Sequence, residues 1–347
     1  MSGHRTLPGI TLIIALAFTL AWGNGVWAQQ MPKAVTLATM TPGTSFYALA
    51  GGLAKVVSEG SPIQMSIQPH TGSTTFIPLV NSGEVDFGMN NAVDMALAFH
   101  GPQRLQVAGR NPFPHAPNIR LLMRGTPFVV ALLVKKDSPL KSVHDVKGKR
   151  VTGEYPALQA AWFQVFALLA SGALTWSDVR VVPVPGANEG VDALVQGRAD
   201  VAMFSLNGAK VREADAAVGV RHLTADCSPE GEKRVRQAVP GYYTRMFRAG
   251  TALAVVEDTC TVSYDLYLTT NKGLPDPVVA TVLKAIWEGI DKLPAFHPFF
   301  KEWTRDRAAS AEVTIPYHPG AIKFYKDVGV WKPEMDQTQQ RLLALNP

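Results

Sequence analysis

Residues 65–90 read MSIQPHTGSTTFIPLVNSGEVDFGMN, the pattern of a short strand, a turn, a helix and a second strand. Residues 179–204 read VRVVPVPGANEGVDALVQGRADVAMF and repeat that order 114 positions later, without a gap. Short apolar strands that alternate with helices are typical of a parallel α/β sheet, because parallel neighbours need a crossover connection. The repeat therefore predicts two similar α/β units.

Five residues are identical between the two copies of this pattern. They mark the turn after one strand and the Gly-x-x-Asp entry into the next. The identical pairs are Pro69 and Pro183, Gly72 and Gly186, Gly83 and Gly197, Asp86 and Asp200, and Met89 and Met203. We interpret the two copies as the centres of two lobes, the second inserted into the first.

Two long apolar stretches, residues 121–136 and 251–270, lie where the chain would cross between the lobes and return. Buried parallel strands read as nearly continuous apolar runs, so these stretches predict a two-stranded hinge. The predicted fold is α/β, with two Rossmann-like lobes and a ligand cleft between them. The expected boundaries are 29–126 for the first lobe, 127–255 for the second, and 256–347 for the return strand and C-terminal helices of the first.

Composition is that of a globular protein large enough for two lobes. The chain has 347 residues, 47% of them hydrophobic and 18% charged, with a formal net charge of +5. Disordered and collagen-like chains have different compositions, so both classes are excluded. Because the excess positive charge is spread along the chain, we expect no nucleic-acid partner.

The N-terminal segment predicts export. Residues 10–22 read ITLIIALAFTLAW, an apolar run too short to span a bilayer comfortably, and Val26-Trp27-Ala28 follows as a cleavage motif. Residues 1–28 are therefore expected to be a signal peptide cleaved after Ala28. An uncleaved anchor is the alternative.

Cys227 and Cys260 are the two cysteines. In an oxidising compartment an even count permits one disulfide, and two separately buried thiols are the alternative. Their spacing matches no zinc or redox motif, so we expect neither a metal nor a cofactor.

Turns rich in small hydroxyl and amide side chains follow the predicted strands. Ligands of open α/β sheets bind at these strand ends, where helix N-termini attract anionic groups. Helix capping alone is the alternative role. The candidate ligand-binding residues are Thr39, Thr44, Ser45, Phe46, Tyr47, Gly72, Ser73, Asn90 and Asn91 in the first lobe, Glu154, Tyr155, Asn188, Ser205 and Asn207 in the second, and Arg124 as a cation at the crossover.

Residues 41–57, 70–101, 142–151 and 315–329 together resemble the TAXI family, the periplasmic receptors of tripartite ATP-independent (TRAP) transporters. The most specific parts are Gly72-Ser73 with Gly83-x-x-Asp86, the entry DVKGKRV at 145–151, and IPYHPG at 315–320. The resemblance covers nearly all of the mature chain. It implies a type II-like periplasmic binding protein that captures a small organic acid or amino acid and delivers it to membrane permease subunits.

By position, the family's ligand loops fall on Thr39, Ser45, Phe46, Tyr47, Gly72, Ser73 and Asn91. The chain departs from the family at residues 39–42, at Asn91-Ala92-Val93 and at Gly153-Glu154-Tyr155. The last change adds a carboxylate and a phenol where small residues are usual. We therefore expect a ligand that is bulkier, less acidic or partly aromatic, rather than one like glutamate.

Two other classes of function stay open. An exported enzyme is disfavoured because the sequence has no Gly-x-Ser-x-Gly elbow, no His-Glu-x-x-His and no phosphate-binding loop. His318, in Tyr-His-Pro-Gly, is expected to be a turn or capping residue rather than a base. A receptor with the same fold could instead serve an ATP-driven (ABC) importer or a membrane sensor kinase.

Overall fold

The computed structural model describes residues 1–4 and 31–346. The apolar run and cleavage site of the predicted signal peptide lie outside these residues. Within the described part of the chain, no helix is both long and apolar enough to cross a membrane.

The strands form one eight-stranded sheet and one two-stranded sheet. Their bounds are β1 Ala34–Met40, β2 Gln64–His70, β3 Phe87–Asn91, β4 Ile119–Lys135, β5 Arg150–Glu154, β6 Arg180–Val184, β7 Ala202–Ser205, β8 Val220–Leu223, β9 Tyr243–Phe247 and β10 Thr259–Asn271.

The helices connect and cover these strands. Their bounds are α1 Ser45–Gly60, α2 Ser73–Ser82, α3 Ala92–His100, α4 Gln159–Ser171, α5 Ala187–Val195, α6 Ala209–Val218, α7 Pro229–Ala238, α8 Asp276–Gly289, α9 Arg305–Ala308, α10 Pro319–Asp327 and α11 Pro333–Ala344.

The larger sheet has the order β2-β1-β3-β10-β4-β7, with β8 paired to β4 and β9 paired to β10. Strand β1 is parallel to both β2 and β3, as the strand and helix alternation predicted. Strands β5 and β6 are also parallel, and a bridge between Val151 and Val201 links β5 to the residues just before β7. We call β1–β3 with α1–α3 and α8–α11 the first lobe, and β5–β8 with α4–α7 the second lobe.

Strands β4 and β10 connect the lobes. They pair antiparallel from Ile119 opposite Asn271 to Val130 opposite Val262. One end of β10 also pairs with β3 of the first lobe, and the far end of β4 pairs with β7 and β8 of the second. The predicted α/β fold with two lobes and a two-stranded hinge is confirmed.

The second hinge strand starts later than the sequence predicted, at Thr259 rather than near residue 251. The Asp258 carboxylate accepts a hydrogen bond from the Ala249 N–H at 3.0 Å and pairs with Arg248. These contacts hold residues 249–258 in a loop. Next to it, Cys227 and Cys260 form a disulfide with a Cα–Cα distance of 5.6 Å.

The glycines of the sequence repeat occupy equivalent places. Gly72 and Gly186 are the N-cap residues of α2 and α5. Gly83 and Gly197 follow the same two helices with φ of 82° and 72°, a left-handed conformation that glycine adopts without strain. Both helices thus have a glycine directly before their first residue and another within two residues after their last.

The aspartates of the repeat make the same contact in each lobe. The Asp86 carboxylate accepts a hydrogen bond from the Thr36 N–H at 2.8 Å, and the Asp200 carboxylate accepts one from the Arg150 N–H at 2.9 Å. Residues 36 and 150 are themselves 114 positions apart, so the repeat extends to the first strand of each lobe.

Apolar residues from both lobes form one core around the sheet, including Leu37 and Phe87 in the first lobe and Val151 and Leu168 in the second. Helix α8 packs against α1 of the first lobe. His318 caps α10 by accepting a hydrogen bond from the Gly320 N–H at 3.1 Å, which agrees with the capping role predicted for it.

Candidate functional site

The cleft between the lobes is closed by direct hydrogen bonds between turns of opposite lobes. The Ser45 and Ser205 hydroxyls lie 3.0 Å apart. The Asn188 amide donates to the Thr41 hydroxyl at 3.2 Å and to the Pro42 carbonyl at 3.0 Å. The turn after β1 and the start of α1 therefore meet the first turn of α5 and the end of β7.

The backbones of the two lobes approach each other closely at Gly72. A Cβ at this position would lie 2.2 Å from the carbonyl oxygen of Ala157 and 2.7 Å from the Leu158 Cβ, both across the cleft. No real Cβ tolerates such a distance, so the closed arrangement requires glycine here. Beside it, the Gln159 N–H donates to the Thr74 hydroxyl at 3.1 Å.

Arg110 makes a further contact at the cleft rim. Its guanidinium lies 4.2 Å from the centre of the Trp162 ring and donates a hydrogen bond to the Gln159 side chain. Trp162 stacks in turn on Trp176. A cation over an aromatic face is attracted by the ring quadrupole, so this contact also favours closure.

A small cavity lies between the lobes, with a volume of about 30 Å³, which is room for about one or two water molecules. Its lining is mostly apolar: Met40, Phe46, Phe128, Val130, Leu158, Ala187, Met203 and Phe204. Four polar residues complete it: Thr44, Gln164, Ser205 and Tyr264. Both lobes and both hinge strands contribute to this lining.

A buried hydrogen-bonded cluster adjoins the cavity. The Asn91 amide donates to the Tyr242 hydroxyl at 2.6 Å, and the Gln164 amide donates to the Tyr264 hydroxyl at 2.7 Å. The two tyrosine rings stack with their centres 5.0 Å apart. Burial raises the pKa of both phenols well above the usual value, so both hydroxyls are neutral at physiological pH.

Asp94, in the first turn of α3, is fully buried. Its Oδ2 accepts a hydrogen bond from the Ser73 hydroxyl at 2.9 Å, whereas its Oδ1 has no hydrogen-bond partner within residues 31–346. Burial raises the pKa of Asp94 to about 7, although the Ser73 hydrogen bond opposes the shift.

The structure brings five of the predicted site residues to the closed cleft. Thr44, Phe46 and Ser205 line the cavity, Ser45 bonds to Ser205, and Asn188 bonds to the turn after β1. Thr44 also caps α1 by accepting a hydrogen bond from the Tyr47 N–H at 3.2 Å. Capping and lining the cleft are thus compatible roles for one side chain.

Gly72, Ser73 and Asn91 lie next to the cavity rather than in its lining. Asn91 also caps α3, accepting a hydrogen bond from the Val93 N–H at 2.8 Å. The Thr39 hydroxyl is buried and has no hydrogen-bond partner within residues 31–346. Tyr47 is partly exposed on α1.

Two other predicted residues, Arg124 and Asn90, make contacts away from the cavity. Arg124 donates to Asp265 at 2.7 Å and to the Ser310 hydroxyl at 3.1 Å, so a carboxylate of the hinge strand β10 already pairs its charge. Asn90 donates to the Thr269 hydroxyl at 2.7 Å, which binds β3 to β10.

In the second lobe, Tyr155 is fully buried, with its hydroxyl 2.6 Å from the Thr152 hydroxyl, and Glu154 is exposed. Their φ values of 65° and 47° turn the chain sharply here, which sends the phenol into the lobe. Asn207, with φ of 62°, lies against His297 at the seam between the lobes. Burial lowers the pKa of His297 to about 4, so that ring is neutral at physiological pH.

Sequence reasoning missed Asp94, Gln164, Tyr242 and Tyr264. Two of them carried a usable signal: Asp94 is the acidic residue of the apolar helix AVDMALAFH, and Gln164 is buried within the apolar helix QAAWFQVFALLAS. A polar residue on the buried face of a helix needs a hydrogen-bond partner. Such a residue can therefore be selected from the sequence as a candidate for a buried polar contact. The tyrosines carried no such signal.

Within the described residues, no group of histidine, cysteine, aspartate and glutamate side chains is arranged to hold a metal ion.

Residues 37–329 match the model of the NMT1-like family, which is most of the chain. The chain belongs to the NMT1-like family. Structures with the same architecture include one described as a periplasmic transporter, with 12% sequence identity and a TM-score of 0.54 over 90% of this chain and 97% of that one.

Two further similar structures come from Rhodopseudomonas palustris. One was solved with adipate; it has 15% identity and a TM-score of 0.53 over 91% of this chain and 97% of that one. The other is MatC with bound malate, with 16% identity and a TM-score of 0.51 over 90% of this chain and 99% of that one. At these identities the likeness concerns the fold, which for this NMT1-like protein is that of periplasmic solute-binding proteins of the type II-like class.

Proposed function

We propose that this protein is a periplasmic solute-binding receptor. It captures a small organic acid or amino-acid-like ligand by lobe closure and delivers it to the membrane permease subunits of a TRAP transporter. The observation that carries the proposal is the cavity between the lobes, lined from both sides and sealed by the contacts of Ser45 with Ser205 and of Asn188 with the turn after β1.

Closure about β4 and β10 provides the mechanism. A ligand shifts the balance between open and closed lobes only through its higher affinity for the closed state. The closed cavity holds about 30 Å³, less than an amino acid occupies, so the lobes part to admit the ligand and close around it less tightly. No bond is made or broken, and the protein acts as a carrier rather than an enzyme.

The proposed division of the chain accompanies this function. Residues 1–28 direct export to the periplasm, 29–126 and 256–347 build the first lobe, and 127–255 build the second. The polar turns of the first lobe, with Ser45 and Ser73, receive the ligand first, and Asn188 and Ser205 of the second lobe join on closure. The TAXI resemblance of residues 70–101 and 315–329 supports a TRAP permease as the partner.

The test begins with a thermal-shift screen of the mature protein against organic acids, amino acids and aromatic acids. A ligand at 100 times its Kd adds about 2.7 kcal/mol of stability. Small-angle scattering with a hit should show a smaller radius of gyration than an opened variant such as Gly72→Ala. If no compound raises the melting temperature, the receptor function is refuted.

The type of transporter is decided separately. The loaded receptor is added to proteoliposomes that contain a candidate permease. Uptake driven by an ion gradient without ATP supports the TRAP assignment. A requirement for ATP, or no uptake with any permease together with stimulation of a sensor kinase, contradicts it.

A further inference from the structure

Buried polar residues of the first lobe lie beside the cavity. They are Ser73, Asn91 and Asp94. The lining itself is mostly apolar, and Leu158, Met203 and Phe204 are its largest contributions from the second lobe. A ligand held here therefore has apolar groups around it and polar groups of the first lobe close by.

Asp94 is the unusual member of the polar surface. A buried carboxylate is costly unless its lone pairs are paired, and only one of its oxygens accepts a hydrogen bond within the described residues. No arginine, lysine or histidine side chain contributes to its pKa. The neighbouring ionisable groups are the hydroxyls of Tyr242 and Tyr264, which the carboxylate is close enough to influence.

Two series of residue contacts connect Asp94 to the cavity lining. The first passes through its Ser73 partner and Gly72 to Leu158, which lines the cavity. The second passes to Tyr264, which lines the cavity and bonds to Gln164 of the second lobe. Because Leu158 and Gln164 belong to the second lobe, opening of the cleft withdraws both from the Gly72 and Tyr264 positions that adjoin Asp94.

No cation lines the cavity: none of its lining residues is an arginine or a lysine. Arg124 pairs with Asp265, and Lys210, beside the turn after β1, pairs with Asp192 at 2.7 Å and Glu213 at 3.3 Å. Arg110 lies at the cleft rim, over the Trp162 ring. A dicarboxylate inside the cavity would therefore meet no cation in the lining and would lie near a buried carboxylate.

We propose that Asp94 binds an ammonium group of the ligand, and that the substrate class is therefore a small amine-bearing acid, such as an amino acid, with an apolar or aromatic side chain. This inference rests on the proposed receptor function. The ammonium pairs with Oδ1 of Asp94, the ligand carboxylate takes hydroxyl and N–H donors of the polar turns, and the side chain packs among Phe128, Met203 and Phe204.

The test uses pairs of acids that differ only in the amine: phenylalanine and 3-phenylpropionate, tryptophan and indole-3-propionate, leucine and 4-methylpentanoate. Affinities are measured by calorimetry at pH 8. We expect the amine-bearing member of at least one pair to bind 30-fold or more tightly than its partner. Asp94→Asn should reduce that preference below threefold, whereas the exposed control Asp137→Asn should preserve it.

The outcomes separate this inference from the receptor function. Equal binding within the pairs, or a preference that survives Asp94→Asn, overturns the role of Asp94 and leaves the receptor intact. Binding of other acids with no binding by any amine-bearing compound does the same. If no compound of any class binds, both proposals fail. Should Asp94→Asn not fold, the wild-type preference within the pairs decides.

Discussion

The two copies of the repeat agree in framework and differ at the cleft. Gly72 and Gly186 start equivalent helices, and Asp86 and Asp200 accept equivalent backbone N–H groups. At the same offset of 114, however, Ser73, Asn91 and Asp94 of the first lobe correspond to Ala187, Ser205 and Gly208 of the second. The shared residues build the lobe, and the residues that differ lie at or beside the cleft.

This difference has a physical basis. A helix must begin and a strand must be joined in the same way in both lobes, so turn glycines and backbone-binding carboxylates cannot change freely. Side chains that face the cleft contact the opposite lobe or a ligand instead. These side chains can diverge without loss of the fold of either lobe. Substitutions at equivalent positions of the two lobes should therefore have different effects.

The largest expected effect is on the free energy of unfolding and comes from the buried carboxylate of Asp94. The corresponding residue of the second lobe is Gly208, which has no ionisable group. Burial raises the pKa of Asp94 to about 7 in the fold, from 3.8 for an unperturbed aspartate. An acid whose folded pKa is raised destabilises the fold as it ionises, so the contribution of Asp94 to stability is most favourable below pH 4, falls between pH 4 and 7, and stays low above. Asp94→Asn should remove up to about 4 kcal/mol of this loss.

The measurement is urea unfolding of the empty protein at pH 4, 5, 6, 7 and 8, with Asp137→Asn as the control. Unfolding free energies of Asp94→Asn that follow the wild-type pH profile would contradict an ionisation cost specific to the first lobe.

The next largest effect compares the two N-cap glycines. Gly72→Ala places a Cβ 2.2 Å from the Ala157 carbonyl across the cleft, whereas at Gly186 the nearest atom is 2.9 Å away at the flexible end of Glu189 in the same lobe. We expect Gly72→Ala to weaken ligand binding at least 100-fold, because the added Cβ holds the lobes wider apart at this point than closure around a ligand requires. Gly186→Ala should change affinity less than threefold.

Calorimetric titration with the best ligand from the screen measures both variants, and scattering reports whether Gly72→Ala is more open. Unchanged affinity in Gly72→Ala would mean that binding does not need the closed contact.

A third comparison tests the shared framework. Asp86 accepts hydrogen bonds from both the N–H and the hydroxyl of Thr36, and Asp200 pairs with the N–H and guanidinium of Arg150 at a more exposed site. Hydrogen bonds to charged groups contribute about 1.5–3 kcal/mol. Asp86→Ala should cost about 2 kcal/mol in chemical denaturation and Asp200→Ala about 1 kcal/mol, with neither variant altering ligand selectivity.

The smallest effect concerns Asn91 and its counterpart Ser205. Asn91 caps α3 and bonds to Tyr242, so Asn91→Ala should cost about 1 kcal/mol in the empty protein as well as weakening ligand binding. Ser205→Ala should weaken ligand binding while changing the melting temperature by less than about one degree. Equal losses of stability in the two variants would show that Ser205 also has a structural role.

Sequence patterns predicted the repeat elements closely. The strand, turn, helix and strand pattern of residues 65–90 forms β2, α2 and β3, and the same pattern of residues 179–204 forms β6, α5 and β7. Because these segments bury apolar residues, the spacing of those residues along the sequence predicts the secondary structure. Helix α7 was not predicted: its sequence PEGEKRVRQA buries only Gly231 and Val235, too few residues to define a stripe.

The candidate site was predicted only in part, because its members come from distant parts of the chain. Asn91 meets Tyr242 and Ser45 meets Ser205 across separations of 151 and 160 residues. Tyr155 and Tyr264 look alike in sequence, yet one is buried within its own lobe and the other lines the cavity.

The sequence alone determined two α/β lobes, their internal repeat and the long strands that join them, because strand alternation, turn glycines and apolar runs act over short distances. Only the tertiary structure decided which polar side chains face the cleft and that Asp94 is buried beside it. Those facts depend on the packing of one lobe against the other, and contacts of that kind leave no local pattern in the chain.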